Sequence, residues 1–137
     1  MSTFGLRAKP CSSCPYRCDV PSGIWAESEY DKLPGYDGDT GQQIIAGATG
    51  LFCCHQTPDF LCAGWVGCHD MRHAAAVRLH WREIGNMGAL LNYVSPVPLF
   101  SSGAEAALHG MRDLAHPSSE ARAKIDQLLR IVARRKS

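Results

Sequence analysis

Apolar residues in the C-terminal third of the chain recur at helical spacing. The last helix is predicted to begin near Ser118, and its apolar positions form one stripe: Ala121, Ile125, Leu128, Leu129 and Val132. Before it, Ser102 and Glu105 match a capping box, with Ser102 as the N-cap and Glu105 reaching back to its amide. The helix that this pair opens is predicted to end near Ala115.

The rest of the chain carries shorter patterns. The longest helical pattern runs from Cys62 to about Ile84 and leaves a broad apolar face. A short helix is predicted over residues 26–33, and the apolar run 51–55 favours a strand. Residues 43–46 fit either a helix or a strand. Together these elements predict a mostly α fold with a small irregular or β N-terminal half, which is a small α+β class.

The composition is that of one ordinary globular domain. With 137 residues, 45% hydrophobic and 20% charged, the chain is long enough to bury one core. We expect a single domain over 1–137, with a cysteine-rich half (1–70) and a helical half (71–137). The net charge is +1, divided into −3 over 1–60 and +4 over 61–137. The basic, amphipathic last helix makes nucleic acid a candidate partner beside a protein partner.

Cysteine usage changes this picture. All seven cysteines lie between Cys11 and Cys68. The N-terminal residues do not resemble a secretory signal, and no apolar run is long enough to span a membrane. We therefore expect a cytoplasmic protein without membrane contact, in a reducing compartment where thiols serve metals or catalysis rather than disulfides. The odd number of cysteines points the same way.

Four of these cysteines are predicted to form one metal site. Cys11 and Cys14 have the spacing that brings two sulfurs to one ion in zinc sites and iron–sulfur loops. A second pair is expected from a distant segment, and Cys54 with Cys62 is the choice. A four-cysteine site favours Zn²⁺. The alternative is a [4Fe–4S] cluster, for which Cys18 is a candidate extra ligand.

Four further residues are candidates for contacts around the metal. Arg17 and Asp19 follow the first cysteines, so either the guanidinium faces the anionic site or the two side chains pair to fix the loop. His55 and His69 are candidates for hydrogen bonds to a thiolate or a carboxylate. His69 and His73 would share a face of one helix and could instead hold a metal together.

The cysteine segments resemble a small family of unknown function from actinobacteria and their phages. The resemblance rests on three motifs: Cys11-x2-Cys14-Pro15-Tyr16-Arg17, Phe52-x-Cys54-His55-Gln56 and Cys62-Ala63-Gly64-Trp65. It implies cysteines at positions 54 and 62. It also implies a basic residue where this chain has Cys18, which weakens the case for Cys18 as a ligand. The resemblance implies no activity.

Three functions are consistent with these residues. The first is a non-enzymatic, metal-stabilised regulatory or interaction module of phage or actinobacterial origin. The second is a [4Fe–4S] redox-sensing regulator. The third is a metalloenzyme with an open metal position, with His55, Asp59 or Asp70 as the acid–base partner. The absence of a nucleophile–base pair in the sequence favours the first.

Overall fold

The computed structural model of the protein describes residues 3–136, and it is mostly helical with a small sheet near the N-terminus, as predicted. The α-helices are α1 (Glu27–Asp31), α2 (Thr40–Ile45), α3 (Ala63–Cys68), α4 (Ala75–His80), α5 (Met87–Leu91), α6 (Gly103–Met111) and α7 (Ser119–Lys136). Three short 3-10 helices lie at Leu33–Tyr36, Met71–His73 and Trp81–Glu83. No helix in this part of the chain could cross a bilayer.

The sheet consists of two short parallel strands, β1 (Gly5–Leu6) and β2 (Phe60–Leu61). Gly5 is paired with Phe60, and Leu6 with Leu61. The predicted strand at 51–55 is wrong over most of its length, because only Cys53 forms a bridge, antiparallel to Leu61. The segment still runs beside β2, but regular strand pairing is limited to this one bridge.

The long helix predicted from Cys62 to Ile84 is broken into α3, α4 and two 3-10 helices. The break lies at His69, whose backbone is extended (φ −120°, ψ 163°). There the imidazole Nε2 lies 2.8 Å from Oδ1 of Asp37, and Asp70 starts the next turn by accepting from the amide of Arg72. Tertiary hydrogen bonding to Asp37 therefore replaces the helical continuation.

Residues 43–46, which the sequence left undecided, belong mainly to α2. Asp39 and Gln42 form a complete capping box: the Asp39 carboxylate accepts from the Gln42 amide, and the Gln42 side chain accepts from the Asp39 amide. This motif has aspartate as the cap in place of serine or threonine, and it marks a helix start that the apolar pattern alone did not show.

Helix α6 begins where predicted. Ser102 accepts from the Glu105 amide at 3.1 Å, but Glu105 bonds the hydroxyl of Ser101 rather than the Ser102 amide. The helix ends at Met111, before the predicted Ala115. Its first two amides, those of Gly103 and Ala104, donate to the two carboxylate oxygens of Asp37 at 2.7 and 2.9 Å.

Two apolar clusters hold the chain together. The larger one is formed by residues from both halves, around the fully buried Trp65 and Tyr16, and it contains the four cysteines of the predicted site. The smaller one joins α7 to the N-terminal half through Val20, Ile24, Ala121 and Leu128. The stripe of α7 therefore packs against the segment that follows the first cysteine loop.

Replacing Asp37 by alanine is expected to lower the free energy of unfolding by about 2–4 kcal/mol. The substitution removes a helix cap worth about 1 kcal/mol and a hydrogen bond to a partly buried histidine, and it leaves two amides of α6 without their acceptor. Urea unfolding monitored by circular dichroism measures the change. Asp126→Ala, on an exposed position of α7, is the control. Equal stability of the two variants would contradict this role for Asp37.

Candidate metal centre

Two pairs of thiols lie in the core, and each pair joins one cysteine of the first segment to one of the second. The sulfur of Cys14 lies 3.7 Å from the sulfur of Cys62. Cys11 and Cys54 form the second pair, since each thiol is the largest cause of the shift in the pKa of the other. All four residues are 5% exposed or less. The two distant segments therefore meet at the residues that the sequence predicted.

Local backbone structure positions these thiols. In the first segment, a tight turn closed by the Cys14 amide on the Cys11 carbonyl (3.0 Å) brings both side chains together. In the second, the amides of Cys54 and Cys62 donate across to Phe60 and Phe52, each at 2.8 Å. This hairpin-like pairing places Cys54 and Cys62 on one side. Cys53 bonds no thiol, as expected for neighbouring residues of an extended segment.

The Cys62 sulfur accepts the backbone amide of Trp65, three positions later, at 3.5 Å. Backbone amides two or three positions later also act on the pKa of the other three thiols: those of Ser13 and Tyr16 oppose the rise for Cys11 and Cys14, and those of Gln56 and Thr57 add to the fall for Cys54. Such donors stabilise the charged thiolate over the neutral thiol. The sequence therefore folds into four loops that are each suited to hold a sulfur anion.

Contacts between the thiols and burial shift the pKa of Cys11, Cys14 and Cys54. The hydrogen bond from Cys11 lowers the pKa of Cys54 to about 4, and the Thr57 hydroxyl and the amides of Thr57 and Gln56 add to this shift against the effect of burial. The same bond to Cys54, together with burial, raises the pKa of Cys11. In the other pair, the bond to Cys62 and then burial raise the pKa of Cys14. A cation bound by the sulfurs would replace the retained protons.

A guanidinium contacts the site from the N-terminal side. Nη1 of Arg7 lies 3.7 Å from the sulfur of Cys54 and 3.2 Å from the hydroxyl of Thr57. A positive charge at this distance offsets part of the negative charge of a thiolate. On the other side, the Gln56 amide bonds the hydroxyls of Ser12 and Ser13 at 3.1 and 2.8 Å, so it ties the two cysteine segments together.

Aromatic rings enclose the site. Trp65 and Tyr16 are completely buried, and Phe52 is 4% exposed. Burial, followed by the nearby charge of Cys62, raises the pKa of the Tyr16 hydroxyl. Neither this hydroxyl nor the indole nitrogen of Trp65 has a hydrogen-bond partner within residues 3–136. The enclosure keeps water away from the sulfurs and protects them from exchange and oxidation.

The other three cysteines lie apart from these pairs. Cys18, the candidate extra ligand, is exposed, and its amide donates to the carbonyl of Pro98 at 3.2 Å. Cys53 is half-buried, with its sulfur 3.8 Å from the Leu51 carbonyl. Burial raises the pKa of Cys68 to about 12, which makes it a poor ligand and nucleophile. The structure therefore groups four cysteines in the buried pairs and leaves the other three outside them.

Within residues 3–136, no group of three or more histidine, cysteine, aspartate or glutamate side chains is arranged as a metal site. The thiols are gathered as two hydrogen-bonded pairs rather than around one point. For all four sulfurs to bind one ion, the two pairs would therefore have to approach one another.

Arg17 and Asp19 pair with each other. Nε and Nη2 of Arg17 donate to the two oxygens of Asp19 at 2.8 and 2.7 Å, and Nη1 donates to the Pro10 carbonyl at 3.1 Å. The hydrogen bonds to Asp19 raise the pKa of Arg17. Burial opposes this shift, while the negative charge of Asp19 and, after it, those of Cys14 and Cys11 add to it. These contacts support the prediction that Arg17 and Asp19 pair to fix the loop, rather than the prediction that the guanidinium faces the anionic site.

The two candidate histidines bond carboxylates. Nε2 of His55 lies 2.7 Å from Oε2 of Glu29, and the ring lies against Trp25 with centroids 4.5 Å apart. His69 bonds Asp37 and, through Nδ1, the carbonyl of Trp65 at 2.9 Å. His73 lies in a separate turn, so the shared-face site with His69 is not formed.

Sequence reasoning missed Arg7, Gln56 and Gly64. Gln56 lay within one of the motifs, but only the folded chain shows its contact with Ser12 and Ser13. Gly64 leaves room for the Cys14 sulfur and for Cβ of Tyr16, which a side chain at this position would meet. Arg7 carried no local signal, because its partner Cys54 is 47 positions away.

A known family pattern covers this whole arrangement, matching residues 6–135. The chain belongs to DUF6283, a family of unknown function. No curated protein and no solved structure matches it. The DUF6283 match begins just before Arg7, includes both thiol pairs and extends into α7. It agrees with the predicted resemblance to a family of unknown function, while the actinobacterial and phage origin stays a prediction.

Proposed function

We propose that this DUF6283 protein is a zinc-stabilised, non-enzymatic binding module whose ion is held by Cys11, Cys14, Cys54 and Cys62. The observation that carries the proposal is the meeting in the core of two thiols from the first cysteine segment and two from the second, with the Cys14 and Cys62 sulfurs 3.7 Å apart. Four thiolates around a buried ion form a closed structural site rather than a catalytic one.

The spacing of the sulfurs supports zinc. Two thiolates on one tetrahedral zinc, each about 2.3 Å from the metal, lie about 3.8 Å apart. The Cys14 and Cys62 sulfurs are 3.7 Å apart already. The second pair would have to close onto the same ion, and such adjustment is expected where binding and folding are coupled. The Arg7 guanidinium and the nearby backbone amides would offset the excess charge of four thiolates on a divalent ion.

The alternative [4Fe–4S] regulator has less support. In that cluster each cysteine binds a different iron, which keeps the sulfurs farther apart than they are on a single ion. The third thiol of the first loop, Cys18, is exposed rather than turned toward Cys14. A metalloenzyme also has less support, since the four thiols are almost inaccessible and the His55 ring is held by Glu29.

Metal analysis of protein purified without oxygen tests the proposal. We expect one zinc per chain, a colourless protein, and loss of helical circular dichroism when a strong chelator removes the ion. A broad visible absorbance with stoichiometric iron would instead support the [4Fe–4S] regulator. A protein that is fully folded without metal and takes up no zinc would contradict both the zinc module and the [4Fe–4S] alternative.

A further inference from the structure

Trp81, at the end of α4, is exposed over 53% of its surface. Tryptophan side chains are usually mostly buried because their large rings gain most from leaving water. Large apolar groups that remain in water in this way often belong to binding surfaces.

Two guanidinium groups share this surface. Cζ of Arg82 lies 5.3 Å from the centre of the Trp81 ring, in the geometry of a cation–π contact. Arg78 lies three positions before Trp81 and four before Arg82, which is the spacing of neighbours on one helical face. Its side chain is exposed, and its Nε donates a hydrogen bond to the Arg72 carbonyl at 3.1 Å. We call Arg78, Trp81 and Arg82 the Trp81 patch.

The positive charge of the patch is not neutralised locally. Within residues 3–136, neither Arg78 nor Arg82 forms an ion pair. Glu83 is bonded to His80 at 2.8 Å. Asp70 lies 3.8 Å from both Arg72 and His73. Two unpaired cations beside an exposed indole form a surface suited to a ligand that is both anionic and flat.

We infer that the Trp81 patch binds single-stranded nucleic acid, with phosphates paired to Arg78 and Arg82 and an unpaired base stacked on Trp81. Base–aromatic stacking combined with arginine contacts is how single strands are held without sequence readout. A duplex hides its base faces, and an acidic peptide would pair with the arginines without needing the indole. The inference names the partner of the proposed binding module and so rests on that function.

Fluorescence anisotropy with labelled single-stranded DNA and RNA of about 12 nucleotides, within the site sizes of single-strand binders, tests the inference. We expect binding that weakens as salt rises, and quenching of tryptophan emission on binding. Trp81→Ala should weaken binding about fivefold or more, and Trp81→Phe should restore part of it. Arg78→Glu with Arg82→Glu should abolish binding.

The matched control is Arg122→Glu with Arg130→Glu, which makes the same charge change on exposed positions of α7. It should bind nearly as well as the original protein. Loss of binding in this control alone would place the site on α7 and overturn the inference. So would no binding at low salt, binding unchanged by both patch variants, tighter binding of the matching duplex, or tighter binding of a poly-glutamate peptide.

Zinc content and circular dichroism are measured on the same samples. A zinc-loaded, folded protein that does not bind single-stranded DNA or RNA would overturn the inference and leave the proposed metal site intact. A protein that binds single strands through the Trp81 patch but never contains zinc would overturn the metal site instead. Because Trp81, Arg78 and Arg82 are exposed, their variants are expected to fold normally.

Discussion

Replacing Cys14 by serine is expected to abolish zinc binding and to unfold the protein at room temperature. A structural zinc contributes about 10–16 kcal/mol to small zinc domains, which is as large as the whole stability of an ordinary domain. Serine keeps the volume but is a poor zinc ligand, and its hydroxyl would lie buried next to the Cys62 sulfur. Elemental analysis and thermal unfolding by circular dichroism measure the two effects.

The control for this variant is Cys18→Ser. Cys18 lies four positions along the same segment, but it is exposed and outside both thiol pairs. We expect it to retain one zinc and an unchanged melting temperature. The same result for Cys14→Ser would remove the main support for a four-cysteine site, because the variant would show that the Cys14–Cys62 contact is only packing of small apolar groups.

Gly64→Ala is expected to destabilise the protein by about 1–3 kcal/mol and to weaken its zinc binding. A methyl group at this position would contact the sulfur of Cys14 and would lie 2.8 Å from Cβ of Tyr16. Tyr16 is fully buried, and its Cβ is fixed to the backbone, so the neighbour cannot move aside without shifting the cysteine loop.

The sign of this effect separates packing from helix propensity. Gly64 is the second residue of α3, where alanine would by propensity alone stabilise the helix by up to about 1 kcal/mol. Gly50→Ala is the matched control, because nothing lies within 4 Å of a methyl group built there. Chemical unfolding of both variants, with zinc competition by a chromophoric chelator, gives the comparison. A stabilised Gly64→Ala protein would show that the loops are not packed as described.

The limits of the helices show how far local patterns reach. Ser102 was correctly identified as a cap because its partner, the Glu105 amide, is three residues away. The helix from Cys62 to Ile84 was wrong because its break depends on Asp37, which is distant in sequence and reaches both His69 and the start of α6. The sequence around Asp37 is that of an ordinary loop and gives no sign of these distant contacts.

The sequence alone determined the chemical character of the cysteine segments and the helical periodicity of α7. Thiol spacing in Cys11-x2-Cys14 and apolar periodicity in α7 are properties of neighbouring residues, so they can be read without coordinates. Only the tertiary structure decided that Cys14 meets Cys62 while Cys18 faces solvent, and that Arg7 approaches Cys54. These contacts join residues more than forty positions apart, and their geometry is set by the packing of the whole core rather than by any local pattern.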